Sequence, residues 1–212
     1  MNYIEYDIKK YNFKEMLSYL FTVEDLSSIN ENMDVLKREN DQSTRYHKLY
    51  YDWAKTEKFS NIYYDFIKSV VLPIYSSPIV YQKIPTFRIA FNNNIAVGEF
   101  HKDKHYRNVD WAEKVSEDNF FLPFTDAFDT NTIWVETEED KGDFIPMNCN
   151  YGQIVKWDGS NLTHGNKINK TGKTRVSIDF RVISYDRYEP SEYGSINMQS
   201  KFKIGDYYEY ME

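Results

Sequence analysis

The first third of the chain carries apolar residues at helical spacing. The positions fall into two sets, Phe13, Met16, Leu17, Leu20 and Phe21, then Phe59, Ile62, Tyr63, Phe66, Ile67 and Val70. The second set ends before Leu72-Pro73, which is a helix stop signal. We therefore predict helices through residues 1 to about 75, with their aromatic rings packed in a core. The polar segment from Asn30 to Thr44 is expected to form a short helix and an exposed loop.

From Ile79 onward the pattern changes to the two-residue alternation typical of strands. In Thr86-Phe87-Arg88-Ile89-Ala90-Phe91, the rings and Ile89 share one face and Arg88 lies on the other. Further predicted strands are Ile95 to Asp103, Phe120 to Pro123, Thr132 to Glu136, Gln153 to Trp157 and Thr174 to Ile183. Turn segments rich in Asp, Gly, Asn and Lys separate them. Many short strands with turns between them predict a closed antiparallel sandwich, a jelly roll.

These patterns predict one domain over residues 1–212 with a mainly β core and N-terminal helices packed on it, α+β overall. Residues 1–78 form the predicted helical region, and residues 79–187 form the double-stranded β-helix or jelly-roll core. Residues 188–212 are a Tyr-rich C-terminal extension that either caps the barrel or hangs loose.

Charge and composition exclude several classes of partner. Acidic residues outnumber basic ones by 33 to 26, the net charge is −7, and no long basic run occurs, so neither nucleic acid nor an anionic membrane is an expected partner. The apolar runs are too short to span a bilayer and the first residues do not resemble a signal peptide. A single cysteine, Cys149, excludes an internal disulfide. We expect a cytoplasmic protein, and the sequence leaves open whether it is a homodimer.

Aromatic residues make up 17% of the chain, including 19 Tyr and 14 Phe. Two interpretations remain open. The rings either belong to an aromatic-rich core and surface, or they wall a pocket in which they stack on a polar ligand such as a sugar.

Candidate chemistry concentrates in two segments, Gly98-Glu99-Phe100-His101-Lys102-Asp103 and Thr163-His164-Gly165-Asn166. On a strand, His101 and Asp103 point to the same side, and His164 is expected to join them from another strand. Two imidazoles and one carboxylate are the ligand set of non-haem Fe(II) sites with open positions. His105 shares the alternation and competes as a ligand or contacts substrate, whereas His47 is expected on the solvated surface.

The last predicted strand places four polar residues, Arg175, Ser177, Asp179 and Arg181, on one face. Polar groups on an inward face are costly unless they pair or bind a ligand. Arg175 offers the two-pronged donor that a cosubstrate carboxylate needs, and Ser177 adds a hydroxyl. For Arg181 and Asp179, an internal ion pair with each other, or of Arg181 with Glu136, is the alternative.

Several blocks resemble the StrG-type oxygenases of streptomycin biosynthesis. They are Pro85 to Arg88, Val97 to Asp103, Leu122 to Ala127, Asn131 to Glu136, Asp158 to Asn166 and Thr174 to Ile183. The resemblance covers about half the chain. It implies a double-stranded β-helix, Fe(II) held by His101, Asp103 and His164, and 2-oxoglutarate held by Arg175. Members of this family tend to act in sugar, antibiotic or surface-polysaccharide pathways.

The resemblance also implies a reaction. Dioxygen and 2-oxoglutarate would be consumed, succinate and CO2 formed, and a small-molecule substrate oxidised. Related halogenases lack the carboxylate ligand, so Asp103 favours hydroxylation, with desaturation, epimerisation or ring closure as variants. Further cosubstrate contacts are predicted at Asn166 and Asn119. The substrate wall is predicted from Arg88, Trp134, His105 and Arg181.

Two rival functions stay open at this stage. A cupin-like isomerase or ligand-binding domain also presents histidines inside a jelly roll, but it predicts a third His or a Glu at the metal and gives Arg175 no special task. A metal-free structural jelly roll is the other. The substrate itself does not follow from the site residues.

Overall fold

The computed structural model describes residues 1–29, 43–96, 99–195 and 200–212. Within these ranges the architecture is α+β and mainly antiparallel sheet. The α-helices are α1 (Phe13–Phe21), α2 (Arg45–Ala54), α3 (Glu57–Phe66) and α4 (Val109–Val115). A π-helical turn, Ile67–Val71, and a 3-10 turn, Leu72–Ile74, extend α3 to the proline stop that the sequence predicted. The predicted loop from Asn30 to Thr44 lies almost wholly outside the described residues.

The strands form two antiparallel sheets. They are β1 (Asn2–Glu5), β2 (Ile79–Gln82), β3 (Thr86–Ala90), β4 (Asp118–Pro123), β5 (Ile133–Val135), β6 (Ile145–Pro146), β7 (Gln153–Trp157), β8 (His164–Asn166), β9 (Arg175–Ser184) and β10 (Tyr208–Met211). The large sheet has the order β1-β7-β4-β9-β2-β10, with β3 also paired to β9. The small sheet has the order β6-β5-β8.

The longest strand, β9, organises the large sheet. One of its edges pairs with β4, and the other pairs with β3 and then with β2. Its alternation is as predicted. Val176, Ile178 and Phe180 belong to the main hydrophobic core, whereas Arg175, Asp179 and Arg181 line a cavity on the opposite face. One face of β9 therefore holds the fold together while the other supplies polar groups to the site.

The N-terminal helices cover the apolar face of the large sheet with a dense set of rings. Tyr50 stacks on Phe87 with centroids 4.7 Å apart, and Tyr63 meets Phe180 edge-on at 5.6 Å. Buried hydroxyls find backbone partners, since Tyr63 donates to the Gln82 carbonyl and Tyr50 to the Pro85 carbonyl. Each such ring pair contributes about 1 kcal/mol of stability beyond the burial of its surface area. Core packing therefore explains much of the aromatic content of the chain.

Two segments differ from the sequence predictions. Residues 2–5, expected to be helical, form β1 and pair with β7. The predicted strand from Ile95 to Asp103 is wrong in its described part, because His101 makes only an isolated bridge and Asp103 opens a 3-10 turn, Asp103–Tyr106. His101 and Asp103 still meet, but through a turn rather than strand alternation.

The C-terminal extension packs on the sheet edge. Its last strand, β10, pairs with β2, and Phe202, Tyr207 and Tyr208 form a separate core cluster with Val80 and Ile183. The described part of the extension therefore does not hang loose, but continues the large sheet beyond β2. Within the described residues no helix has both the length and the apolar character needed to cross a bilayer.

His47 was predicted to lie on the solvated surface, but the structure buries it. Only 2% of the residue is exposed, its Nδ1 lies 2.9 Å from the Thr44 hydroxyl, and its ring meets Phe87 edge-on. Burial, helped by the charge of Arg88, lowers the pKa of His47 to about 4. The histidine is therefore neutral in the folded protein.

This burial predicts an acid-dependent loss of stability. The unfolded chain binds a proton at the ordinary pKa of 6.5 while the folded chain does so only near 4, so stability is full above pH 6.5 and falls as the pH drops towards 4. The linkage amounts to about 3 kcal/mol. Urea unfolding with a chelator present, at several pH values, should show a flatter profile for His47→Gln than for wild type over this window. Parallel profiles would contradict the assignment.

Candidate metal and cosubstrate site

The two histidines are brought together by backbone hydrogen bonds. The His101 N–H donates to the His164 carbonyl and the His164 N–H donates to the His101 carbonyl, each at 2.9 Å. His101 thus extends the small sheet beyond β8, which itself pairs with β5. The Asp103 N–H donates to the Gly159 carbonyl at 3.0 Å, which fixes the turn that carries the carboxylate.

The three predicted ligands converge on one point. Asp103 Oδ1 lies 3.4 Å from His101 Nε2 and 3.7 Å from His164 Nε2. One ligand atom from each of the three residues lies within 4.8 Å of the others. Asp103 and His164 are buried and each is 8% exposed. The three side chains can bind one face of a single metal ion and leave its opposite face free for other ligands.

Both histidines are held in the tautomer that metal binding needs. His101 Nδ1 lies 2.8 Å from the Glu99 carbonyl, and His164 Nδ1 lies 3.0 Å from the Leu162 carbonyl. A carbonyl oxygen only accepts, so we assign the proton to Nδ1 in each ring. The Nε2 lone pairs then face Asp103, and the carbonyls fix the ring orientation as outer partners do at metal sites.

The local charges favour an ionised Asp103 carboxylate and act in opposite directions on the two histidines. Burial alone raises the pKa of Asp103, but the charge of Arg181 and the contacts with both histidines hold it well below its usual range. Burial lowers the pKa of His164. Burial also acts to lower the pKa of His101, but the hydrogen bonds with Asp103 and the Glu99 carbonyl outweigh it and leave that pKa raised.

Arg175 enters the same cavity from β9 and is 1% exposed. Its Nη2 reaches Asn166 Oδ1 at 3.4 Å, but Nε and Nη1 have no hydrogen-bond partner within the described part of the chain. Burial lowers the pKa of Arg175 to about 10, so it stays charged at neutral pH. The Ser177 hydroxyl on the same face is likewise buried and unpaired among the described residues.

The remaining charges pair across the large sheet. Arg88 Nε lies 3.4 Å from Asp179 Oδ1, and Arg181 Nη1 lies 3.6 Å from Asp179 Oδ2. The internal ion pair considered for Arg181 and Asp179 therefore exists, but the pair to Glu136 does not. Glu136 instead accepts backbone hydrogen bonds from Asp140, Gly142 and Thr163.

A small cavity of about 50 Å³, partly open to solvent, lies between these groups. It is lined by Arg88, His101, Asp103, Asn119, Phe121, Ile133, Trp157, His164, Asn166, Arg175, Asp179 and Arg181. The cluster of His101, Asp103 and His164 lies at one part of this lining, and the guanidinium of Arg175 lies at another.

The predicted cosubstrate contact Ser177 and two of the predicted substrate contacts are absent from the cavity lining. Trp134 is absent from the cavity lining. Its indole N–H donates to the Asp129 carbonyl, and the Lys167 ammonium lies 3.0 Å from the ring centroid. His105 is exposed in the turn after Asp103 and does not line the cavity. Neither the competing ligand role of His105 nor the stacking role of Trp134 is supported by these positions.

Trp157 and Phe121 also line the cavity, although neither was predicted from the sequence as a site residue. The indole of Trp157 meets the ring of His164 edge-on at 4.6 Å, and the guanidinium of Arg175 lies 5.5 Å from the ring of Phe121. Both residues lie on strands that were predicted, and Trp157 is the cross-strand partner of Asn119. Extending the alternation argument to those strands would have found them.

The chain is similar to a known biosynthesis protein along nearly its whole length. The chain is 32% identical to the streptomycin biosynthesis protein StrG of Streptomyces griseus over 206 residues, 97% of this chain and 96% of that protein. No family model matches the chain.

Among solved structures, the non-haem α-ketoglutarate-dependent epimerase SnoN from nogalamycin biosynthesis is similar over 99% of this chain and 93% of its own, with a TM-score of 0.50 and 10% identity. The carbocyclase SnoK from nogalamycin biosynthesis has a TM-score of 0.47 and 8% identity over 99% of this chain and 91% of its own. At such identities the likeness to SnoN concerns the fold.

Proposed function

This chain belongs to the family of the streptomycin biosynthesis protein StrG, and we propose that it is an Fe(II)- and 2-oxoglutarate-dependent oxygenase of a small polar metabolite. One observation carries the proposal. The same cavity is lined by a His-Asp-His cluster, whose two Nε2 lone pairs face Asp103, and by a buried arginine whose Nε and Nη1 are unpaired among the described residues.

The donor set fits a non-haem iron. Two neutral imidazoles and one carboxylate on one side of the ion are the ligands of oxygenases that keep adjacent positions open. His101, Asp103 and His164 would hold the metal. When bound, Fe(II) and 2-oxoglutarate together reduce dioxygen, yielding succinate, CO2 and an oxidised substrate.

The unpaired donors fit a carboxylate. A buried guanidinium without a counter-anion is costly, and a cosubstrate carboxylate would remove that cost through charge-assisted bonds. Arg175 and Ser177 would hold the far carboxylate of 2-oxoglutarate, and Asn166 would orient the guanidinium through its contact with Nη2. Phe121, Ile133 and Trp157 would exclude water from the same space.

We infer a double-stranded β-helix from the two antiparallel sheets that enclose this cavity, with the likeness to the fold of SnoN as support. The domain boundaries predicted from the sequence stay part of the proposal, with residues 79–187 as the core. Location in the cytoplasm is likewise proposed on the sequence evidence alone.

The substrate we propose is a sugar, a sugar nucleotide or a related polar metabolite, oxidised by hydroxylation or a variant of it in antibiotic or carbohydrate biosynthesis. Support comes from the relationship to StrG and from the polar lining. Because Trp134 lies away from the cavity, the aromatic contact we propose instead is Trp157, which lines the cavity and has its ring 4.6 Å from that of His164. Arg88 remains the proposed charged contact.

A cupin-like isomerase is less well supported. The described residues offer one metal-binding cluster, and it contains two histidines and an aspartate rather than a third His or a Glu. A cupin-like isomerase would also have no ligand for the buried charge of Arg175.

The proposal predicts a spectroscopic signature. Protein mixed with Fe(II) and 2-oxoglutarate under anaerobic conditions should develop a weak visible metal-to-ligand charge-transfer band, because the cosubstrate chelates the metal. Succinate in place of 2-oxoglutarate should give no band. Bound iron without a band would refute the proposal. Succinate formation above the uncoupled rate with nucleotide sugars, aminocyclitols or phosphorylated sugars then tests the substrate class.

A further inference from the structure

One oxygen of the Asp103 carboxylate is occupied by two protein donors. Asn119 Nδ2 and Arg181 Nη2 each donate to Oδ2 at 2.8 Å. The other oxygen, Oδ1, is the one that faces the Nε2 atoms of His101 and His164. The two oxygens of one side chain therefore have separate environments.

The two donors are built into the large sheet as a pair. Asn119 on β4 is the direct cross-strand partner of Arg181 on β9, so both side chains reach Asp103 from neighbouring positions. Arg181 is also held by Asp179. On the other side, a Cβ at Gly159 would lie 2.7 Å from the Asn119 amide, so this glycine lets the Asp103 turn and Asn119 pack closely. The sheet register and the turn together fix the two hydrogen bonds.

We propose that Asn119 and Arg181 are positioning residues that make Asp103 a one-oxygen metal ligand. A carboxylate can bind a metal through one or both oxygens, and the second oxygen would occupy a position that the chelating cosubstrate or dioxygen needs. With Oδ2 engaged by a neutral amide and a guanidinium, only Oδ1 is available. This inference rests on the proposed function and replaces the sequence-based roles of Asn119 in cosubstrate binding and Arg181 in substrate binding.

The test counts water ligands on Mn(II), a probe that needs no turnover. A six-coordinate ion with three protein atoms holds about three waters, and deuterium spin-echo modulation of bound Mn(II) in D2O measures that number. Wild type should show about three. The Asn119→Ala/Arg181→Met double variant should bind Mn(II) with about two, because the freed Oδ2 takes one position, and its affinity for 2-oxoglutarate should fall about tenfold. Arg88→Met, which removes a cavity arginine that does not contact Asp103, should keep three.

Two results with the double variant would contradict this inference. A folded double variant that keeps three waters, or that binds no Mn(II), overturns the inference. If the double variant does not fold, Asn119→Ala and Arg181→Lys take its place. Asn119→Ala should give a mean water count between two and three, and Arg181→Lys, which keeps a charged donor, should stay closer to three. Equal counts of three in both would overturn the inference. Wild-type protein that binds no Mn(II) at all would instead contradict the proposed function.

Discussion

Replacing His164 with alanine is expected to abolish the metal site. The substitution removes one of three ligand atoms, and losing even an outer partner of a metal ligand costs about 10- to 100-fold in affinity. We expect Fe(II) affinity to fall at least about 100-fold and 2-oxoglutarate turnover to reach background. The sheet should survive, because the bridge between His164 and His101 uses backbone atoms only. Iron content after anaerobic loading, measured beside the melting temperature, checks both statements.

His105→Ala is the matched control for this prediction. His105 lies two residues after Asp103 and is exposed outside the cavity. The control should load iron like wild type and give the same charge-transfer band. If His164→Ala retained wild-type iron content, or if His105→Ala lost it, the ligand set would be wrong.

The sequence predicts most of the large sheet because its strands have one apolar and one polar face. Gln153–Trp157 has the bounds that were predicted, and β9 is shifted by one residue from the predicted Thr174 to Ile183. β1, β2 and β10 were not predicted as strands. None of them shows alternating burial, because β1 has no buried residue, β2 is buried at all four positions, and β10 is buried only at its two ends.

The prediction that Trp134 contacts the substrate depended on which face of β5 points to the cavity. Alternation correctly places Ile133 and Trp134 on opposite faces of β5, but a strand of three residues does not show which face is inward. The structure turns Ile133 to the cavity. The larger aromatic ring of Trp134 suggested a substrate contact, but this ring lies outside the cavity and contacts the Lys167 ammonium.

The cluster of His101, Asp103 and His164 could be predicted from residue type, but the side chains that support it could not. Asn119 and Arg181 are far apart in sequence, and only the register of β4 on β9 shows that they face each other. For His47, the helix pattern could not show that Phe87 and Arg88 of β3 would cover it. Contacts between distant segments decide such roles, and one sequence does not contain them.

Arg175→Met is expected to raise the 2-oxoglutarate concentration needed for half-maximal charge-transfer absorbance at least tenfold. Losing one partner of a buried charged pair costs at least about 2 kcal/mol, and the methionine chain preserves packing against Phe121. Arg175→Lys should recover part of the affinity, since it keeps the charge but not the two-pronged geometry. Iron content should not change, because Arg175 does not contact His101, Asp103 or His164. Anaerobic titration of the band measures the effect.

An unchanged titration would mean that Arg88 holds the carboxylate instead, since its Nη1 is also buried and unpaired among the described residues. The Arg88→Met variant would then show the loss of 2-oxoglutarate affinity.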